Sequence, residues 1–293
     1  MNSMFQNCYE LTSLDLSNFD TAKVINMGWL FFCCNKLKEI KGINQFNTNN
    51  VTNMNDMFNQ CEELTSLDLS NFDTVKVTEM SRMFAKCFKL KEIKGLNKFN
   101  TSNVINMDFM FNDCKELTSL DLSNFDTSKV INMSTMFGRC HKLKNIKGIN
   151  KFNTSNVIYM KEMFLSCYEL ISLDLSNFDT SKVINMSSMF NKCSKLREIK
   201  GINRFNTSNI TNMASMFQDC SELVSLDLSN FNTSKVIDMS FMFSRCKNLM
   251  YLNVENFKIN NNCFSENIFQ NISNCNFIAK EEKLKDLSNS LNT

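Results

Sequence analysis

The sequence predicts an α/β solenoid of about ten coils, each 26 or 27 residues long with one strand and one short helix. Three observations predict it. A cysteine recurs as Cys8, Cys34, Cys61, Cys87, Cys114, Cys140, Cys167, Cys193, Cys220 and Cys246, at intervals alternating between 26 and 27. A leucine follows each of them by three residues, from Leu11 to Leu249. Two phenylalanine columns keep the same beat, one from Phe5 to Phe243 and one from Phe19 to Phe257. Self-similarity at such a period marks stacked repeats, because one unit cannot bury its apolar residues alone and a neighbouring coil can cover them.

Each element has its own reason. In "LTSLDLS" the residues Leu11, Leu14 and Leu16 end in period-2 alternation, as a half-buried strand requires. After the "NFDT" turn, Met54, Met57, Phe58 and Cys61 stand at i, i+3, i+4 and i+7, one face of a two-turn helix. Coils reading "LDLSNF" alternate with coils reading "IKGINxF", which carry one more residue and a glycine at the insertion: Gly42, Gly95, Gly148 and Gly201. A glycine bulge in the strand is expected there, making Ile40 and Ile43 the inward pair in place of Leu14 and Leu16. A period of 26 to 27 lies in the leucine-rich-repeat range.

Charge explains why the repeating unit is a pair of coils. One column reads Glu10, Lys36, Glu63, Lys89, Glu116, Lys142, Glu169, Lys195, Glu222, and a strand column reads Asp15, Lys41, Asp68, Lys94, Asp121, Lys147, Asp174, Lys200, Asp227. Stacked strands lie about 4.8 Å apart, where like charges directly opposed are unfavourable. Alternation makes each contact an ion pair, so Lys94→Glu, set between Asp68 and Asp121, is expected to weaken the stack. At the turn, Asp20, Asn47, Asp73, Asn100, Asp126 and Asn153 alternate acid with amide in the same way.

The repeat spans residues 1–257 and begins in mid-coil without a polar N-terminal cap, so either further coils precede Met1 or the first coil stacks on a partner. Residues 258–293 read as a divergent last coil and a polar C-terminal cap or tail. The chain of 293 residues has net charge +2 with mixed signs throughout, which argues against nucleic-acid binding and against a polybasic membrane patch. No apolar run is long enough to span a membrane. The start, "MNSMFQNCYELTSL", has neither a basic region nor an apolar core, so no export signal or lipid anchor is expected from it. The wealth of Asn, Lys, Ile, Phe and Met, with no Pro, resembles the bias of an AT-rich coding source.

Candidate chemistry is sparse. The cysteine column reads as buried thiols packed in a row, since Cys is small and readily buried and metal sites need clustered Cys and His. Cys263 and Cys275 lie off the column, where a capping disulfide would be open to them in an oxidising compartment. His141, the one histidine, is expected to be an exposed variable residue with no partners that would make a catalytic set. Asp15 and Asp20 are expected to cap turns in preference to holding calcium. The threonine column, Thr21 to Thr233, is expected to bond the turn backbone and neighbouring threonines; an ice-binding grid would need more than this one column. Trp29, the one tryptophan, is a local exposed anchor on the helical side. No cofactor or metal is called for. The candidate binding surface is the outward strand face, with Ser66, Asp68, Glu92, Lys94, Ser119, Asp121, Lys147, Asp174 and Lys200; polar and repetitive, it suits multivalent contact with a protein partner.

The run "LTSLDLSNFDTSKVINMSTMFGRC", and the pattern LDLSNFDTS..V..MS.MF..C behind it, closely resembles the BspA-like leucine-rich-repeat surface proteins across residues 1–257. The resemblance implies a right-handed solenoid with parallel strands on one face. It also implies a non-enzymatic adhesive or host- or matrix-protein-binding role at the cell surface or in secreted form, with no catalytic residue. An intracellular, cytoplasmic interaction scaffold is the alternative, consistent with the absence of a signal in this chain and with its many thiols.

Overall fold

Three-residue strands form where an apolar residue is flanked by exposed polar ones, because successive side chains of a strand point to opposite faces. The computed structural model describes residues 1–289, in two units, Met1–Phe152 and Asn153 onward. The first carries β1 (Ser13–Asp15), β2 (Glu39–Lys41), β3 (Ser66–Asp68), β4 (Glu92–Lys94), β5 (Ser119–Asp121) and β6 (Asn145–Lys147). The second carries β7 (Ser172–Asp174), β8 (Glu198–Lys200), β9 (Ser225–Asp227), β10 (Tyr251–Asn253), β11 (Asn276–Ile278) and a closing helix α1 (Glu282–Asn289), on which Leu284 is fully buried.

All strand pairs are parallel and join successive coils. β1 pairs with β2, β3 with β4, and β5 with β6, setting Asp15 opposite Lys41, Asp68 opposite Lys94 and Asp121 opposite Lys147. In the second unit β7 pairs with β8, opposing Asp174 and Lys200, and β9, β10 and β11 form one three-stranded sheet. A second parallel column of single bridges runs Asn26, Asn53, Glu79, Asn106 and Asn132 in the first unit, and Tyr159, Asn185, Asn212, Asp238 and Phe264 in the second.

The extra residue of alternate coils is not a bulge inside the strand. β2 and β4 end one residue before the glycine, and Gly42 and Gly95 open 3-10 turns at Ile43–Gln45 and Leu96–Lys98 with φ of +77° and +83°. The expected inward pair still holds, with Ile40 and Ile43 both buried.

The one short helix per coil expected from the sequence is replaced by tandem β-turns. Between Met54 and Cys61, Met57, Asn59 and Cys61 donate N–H groups to carbonyls three residues back. The amides between them leave the coil: Met54 N–H bonds Glu79 O, Asp56 bonds Ser81 O, Phe58 bonds Met83 O and Gln60 bonds Ala85 O, all at 2.8–3.0 Å. Asp56 and Gln60 take φ of 55° and 64°, which no right-handed helix tolerates. The physical reason is accounting of buried polar groups. A helix satisfies its amides internally and offers a stacked neighbour none, whereas this wall bonds the next coil at every second residue. Spacing of i, i+3, i+4 and i+7 is common to both arrangements.

The core follows the letter columns. Phe5, Phe31, Phe58, Phe84, Phe111 and Phe137 stack face to face in the first unit, with centroids 5.5–5.9 Å apart and planes within 14°. Phe190, Phe217, Phe243 and Phe269 do the same in the second, at 5.6–5.8 Å. Column thiols donate to the phenylalanine carbonyl one coil back: Cys61 to Phe31 O, Cys87 to Phe58 O and Cys114 to Phe84 O, at 3.0–3.3 Å. Burial pushes the Cys87 thiol up to about 12 and Cys61 and Cys114 well above 9.0. Thiolate is the reactive form, so iodoacetamide applied to the native protein is expected to label the half-buried Cys8 and Cys275 first, as read by mass spectrometry. Equal labelling of Cys61 or Cys87 would contradict this packing. Cys263 and Cys275 are both thiols.

The threonine column is also internal, and of its two expected partners the turn backbone is the one it meets. Thr21 Oγ1 donates to Asn47 O at 3.0 Å and accepts from Asn47 N at 2.7 Å, and Thr48 treats Asp73 alike. In the second unit Thr207 bridges to both backbone groups of Asn232. The hydroxyls thus tie one coil to the backbone of the next instead of to other threonines, and they are buried, so they form no exposed grid.

Candidate functional site

The strand face displays the sequence-derived site residues, but it does not leave all of them available. In the first unit Ser66, Glu92, Lys94, Ser119 and Lys147 are exposed, while Asp68 and Asp121 are half-buried. The aspartates turn back on their own chain: Asp68 and Asp121 each accept the N–H of the serine two residues on, at 3.1 Å. This Asx turn is the capping role expected for Asp15, whose Oδ1 accepts Ser17 N at 3.0 Å, and Asp20 caps Ala22 at 2.9 Å. Asp121 also accepts the Ser123 hydroxyl and Lys147 Nζ, the latter at 2.9 Å, and these contacts hold its carboxyl down to about 2. In the second unit Asp174 caps Ser176 at 3.1 Å and lies 3.7 Å from Lys200, which is exposed.

The charge columns stack, but in one direction. Lys36 meets Glu10 at 2.6 Å, Lys89 meets Glu63 at 2.7 Å, and Lys142 meets Glu116 at 2.8 Å, each 26 residues back. Lys94 faces Asp68 through the β3–β4 register, while Asp121 is taken by Lys147. Lys94→Glu is therefore expected to lower stability by about 0.2–1 kcal/mol, the scale of an exposed pair, with a larger effect at low salt. Denaturant midpoints at two ionic strengths measure it; unchanged midpoints would mean that the two residues do not face one another.

A second surface escaped the sequence reading. On the turn wall of the first unit lies a groove of about 610 Å³, lined by Trp29, Phe32, Asp56, Asn59, Arg82 and Phe109 together with Gln60, Ala85, Lys86, Asn112, Asp113 and Arg139. Trp29 is half-buried in its wall and is not an isolated exposed anchor. The Arg82 guanidinium sits 5.1 Å over the Phe109 ring and 3.4 Å from Asp108 Oδ2, and Arg139 lies 3.6 Å from Asp113. Asp56 Oδ1 accepts Asn59 Nδ2 at 2.6 Å and its Oδ2 accepts Asn55 Nδ2 at 3.2 Å. Asn59 Oδ1, Asn55 Oδ1 and Asp108 Oδ1 are buried acceptors without a partner among the described residues. No repeated letter marked it: the equivalent positions read Ser3, Trp29, Asp56, Arg82, Phe109, Thr135, Glu162, Ser188, Ser215 and Phe241, a variable column. His141 is half-buried, contrary to the exposure expected, and burial and then Lys115 hold its imidazole below 6.5.

Burial raises the carboxyls of Asp56 and Asp108 above 3.8, although Arg82 pulls both down. A carboxyl raised on folding binds its proton more tightly in the native state, so stability falls as pH rises from 3.8 through the native value. Asp56→Asn is expected to be more stable than the parent at pH 7 and equal to it near pH 3, measured by thermal midpoint across that range. A variant less stable at pH 7 would show that Asp56 is favourably placed as an anion.

Among the described residues no group of three or more His, Cys, Asp or Glu is placed to hold a metal ion, and no helix is long and apolar enough to cross a membrane. Residues 1–120, 87–198 and 167–281 each match a family described as Mycoplasma protein of unknown function, DUF285. The chain belongs to that family. This DUF285 chain is also similar to a leucine-rich cell surface protein from Faecalibacterium prausnitzii A2-165, at 18% identity over 100% of this chain and 78% of that one, with a TM-score of 0.52. The likeness shows the fold, a right-handed leucine-rich-repeat β-solenoid with about ten coils in the two units together. A leucine-rich-repeat protein from Bacteroides ovatus ATCC 8483 matches 95% of this DUF285 chain and 86% of its own length at 17% identity and a TM-score of 0.40. No curated protein matches it.

Proposed function

We propose that the chain is a non-enzymatic protein-binding module, displayed at the cell surface, that engages a host or matrix protein through its strand face. The observation that carries this reading is the arrangement of exposed Glu92, Lys94 and Lys147 in the first unit. They are held in register by β3–β4 and β5–β6 on a backbone bonded coil to coil. Rigid, repeated charges of this kind favour fast, salt-dependent and multivalent contact. Ser66, Asp68, Ser119 and Asp121 complete the face in that unit, and Asp174 and Lys200 present the same chemistry in the second. The surface location draws support from the family resemblance and from the Faecalibacterium protein's description.

Binding of the purified chain to immobilised fibronectin, laminin and collagen tests the proposal. Binding to at least one is expected, weakening as salt rises and reduced tenfold or more by Lys94→Glu with Lys147→Glu. Binding to none, or binding indifferent to both substitutions, sinks the strand-face reading. Added protease on intact cells tests location: the native protein is expected to be digested, and its survival would favour the intracellular scaffold. That second reading has one structural observation behind it, the row of thiols from Cys34 to Cys140 in the first unit, each donating to a carbonyl instead of pairing in a disulfide.

A further inference from the structure

We infer that the strand face of the first unit takes a polyproline II segment, laid along the stack, that carries a proline, a cation and an anion in turn. The inference rests on the strand-face reading and deepens it by naming the shape and charge order of the partner. It starts from a break in the sheet. β1 pairs with β2, β3 with β4 and β5 with β6, but no ladder joins β2 to β3 or β4 to β5. Each break falls beside the extra residue of alternate coils, where the strand stops at Gly42 or Gly95 and the chain enters a 3-10 turn. Side chains cross the break: Asn71 Nδ2 donates to Asn44 O at 2.9 Å, and Asn124 Nδ2 donates to Asn97 O at 2.7 Å. A recess remains at each, of about 330 Å³ between β2 and β3 and about 140 Å³ between β4 and β5. The two are built alike. Ile40 and Leu67 line the first, Ile93 and Leu120 the second, and Glu39 and Glu92 stand at equivalent places on their rims. Apolar surface with a few placed polar groups is the ordinary make-up of a binding site.

Recurrence selects the backbone of the partner. The recesses lie two coils apart, about 9.6 Å at the spacing of neighbouring strands. A polyproline II chain has three residues per turn and rises 3.1 Å per residue, so every third side chain returns to one face after about 9.3 Å. A β-strand returns to one face after about 6.7 Å, and an α-helix after seven residues, about 10.5 Å. Charge selects the side chains. Glu39 and Glu92 are exposed and enter no ion pair among the described residues. Lys41 and Lys94 are exposed two residues further along the same strands. In the intervening coils Asp68 and Asp121 are half-buried and bound to their own turns. The charges open to a partner therefore recur at the same two-coil interval as the recesses. A repeat of Pro-Lys-Glu sets its three residue types in three rows about 120° apart. Proline then lies over the apolar floors, lysine beside Glu39 and Glu92, and glutamate beside Lys41 and Lys94. Such a chain is already extended when free, so it has little conformational freedom to lose on docking.

The full chain is titrated into a fluorescent (Pro-Lys-Glu)6 peptide and binding is read by anisotropy. A second peptide has the same composition, shuffled so that no residue type keeps a three-residue interval. Saturable binding of the periodic peptide is expected, with the shuffled one at least tenfold weaker. Glu39→Gln with Glu92→Gln is expected to weaken binding at least tenfold and to leave the thermal midpoint unchanged, since both residues are exposed. Ser66→Trp with Ser119→Trp fills both recesses from exposed positions without altering charge, and is expected to weaken binding as much. The inference is overturned if the periodic peptide does not bind, if the shuffled peptide binds equally well, or if binding survives either pair of substitutions. A chain that ignores the periodic peptide, yet binds fibronectin or laminin in a manner abolished by Lys94→Glu with Lys147→Glu, overturns this inference and leaves the strand-face reading standing. Failure towards the peptide and towards every matrix protein overturns both.

Discussion

Phe84→Ala is expected to destabilise the first unit by about 3–5 kcal/mol, the range for emptying a fully buried phenylalanine site. Phe84 is 0% exposed, and its ring lies between those of Phe58 at 5.8 Å and Phe111 at 5.5 Å, nearly parallel to both. Truncation removes two stacked contacts as well as apolar area. The site cannot collapse easily, because the flanking backbones are fixed: Phe84 N–H bonds Met110 O at 2.9 Å and Phe58 N–H bonds Met83 O at 2.9 Å. In a stack of repeats the loss falls on the interfaces of one coil with its two neighbours. Amide exchange is therefore expected to quicken first between Met80 and Cys87, with the urea midpoint lowered. Phe84→Leu, which refills much of the space, is expected to recover more than half of the loss. An alanine variant within about 1 kcal/mol of the parent would show that the rings are not packed as a column.

Gly95→Ala is expected to lose more than about 2 kcal/mol, for two separable reasons. Its φ of +83° is a conformation in which glycine alone is at ease. An added Cβ would also stand 2.4 Å from Ser70 Cα and 2.6 Å from Ser70 N, in the backbone of the preceding coil, which has no flexible side chain to swing aside. Gly95→Asn separates the two effects, since asparagine tolerates left-handed backbone but keeps the Cβ. The structure requires Asn to be nearly as damaging as Ala. Recovery of most of the stability in the Asn variant would mean that the coils are not in contact at Ser70. The same contact recurs at Gly42 against Ser17 and at Gly148 against Ser123, so the glycine of alternate coils marks a close approach of two successive coils.

Much of this architecture was legible because stacking turns letters one period apart into spatial neighbours. The cysteine, leucine and phenylalanine columns are buried columns, and Asp68 stands opposite Lys94 and Asp121 opposite Lys147, although Lys94 and Asp121 do not pair with each other. The abundance of asparagine, attributable on composition alone to coding bias, has structural work: Asn26, Asn53, Asn106 and Asn132 each accept the N–H two residues on and start the turn wall. The wall itself departs from the expected helix. A cue was present in runs such as "NMSSMFNKC", whose Ser and Asn are poor helix formers. Of the two candidate surfaces, the strand face is legible in the periodicity as a set of outward positions. The groove is not, because its members occupy variable positions and come from several coils.

The sequence by itself determined the coil, its 26/27 alternation, the buried columns and the pairing of opposite charges, since each of these is a relation between residues a fixed number of letters apart. Only the tertiary structure decided whether Met54–Cys61 winds on itself or reaches outward, which way Thr21 and Asp68 direct their hydrogen bonds, and that Trp29, Asn59 and Phe109 share one groove. The physical reason is that apolar spacing specifies which side chains face inward, whereas the partner of each backbone amide, and the company kept by residues outside the repeat, depend on how closely the next coil lies.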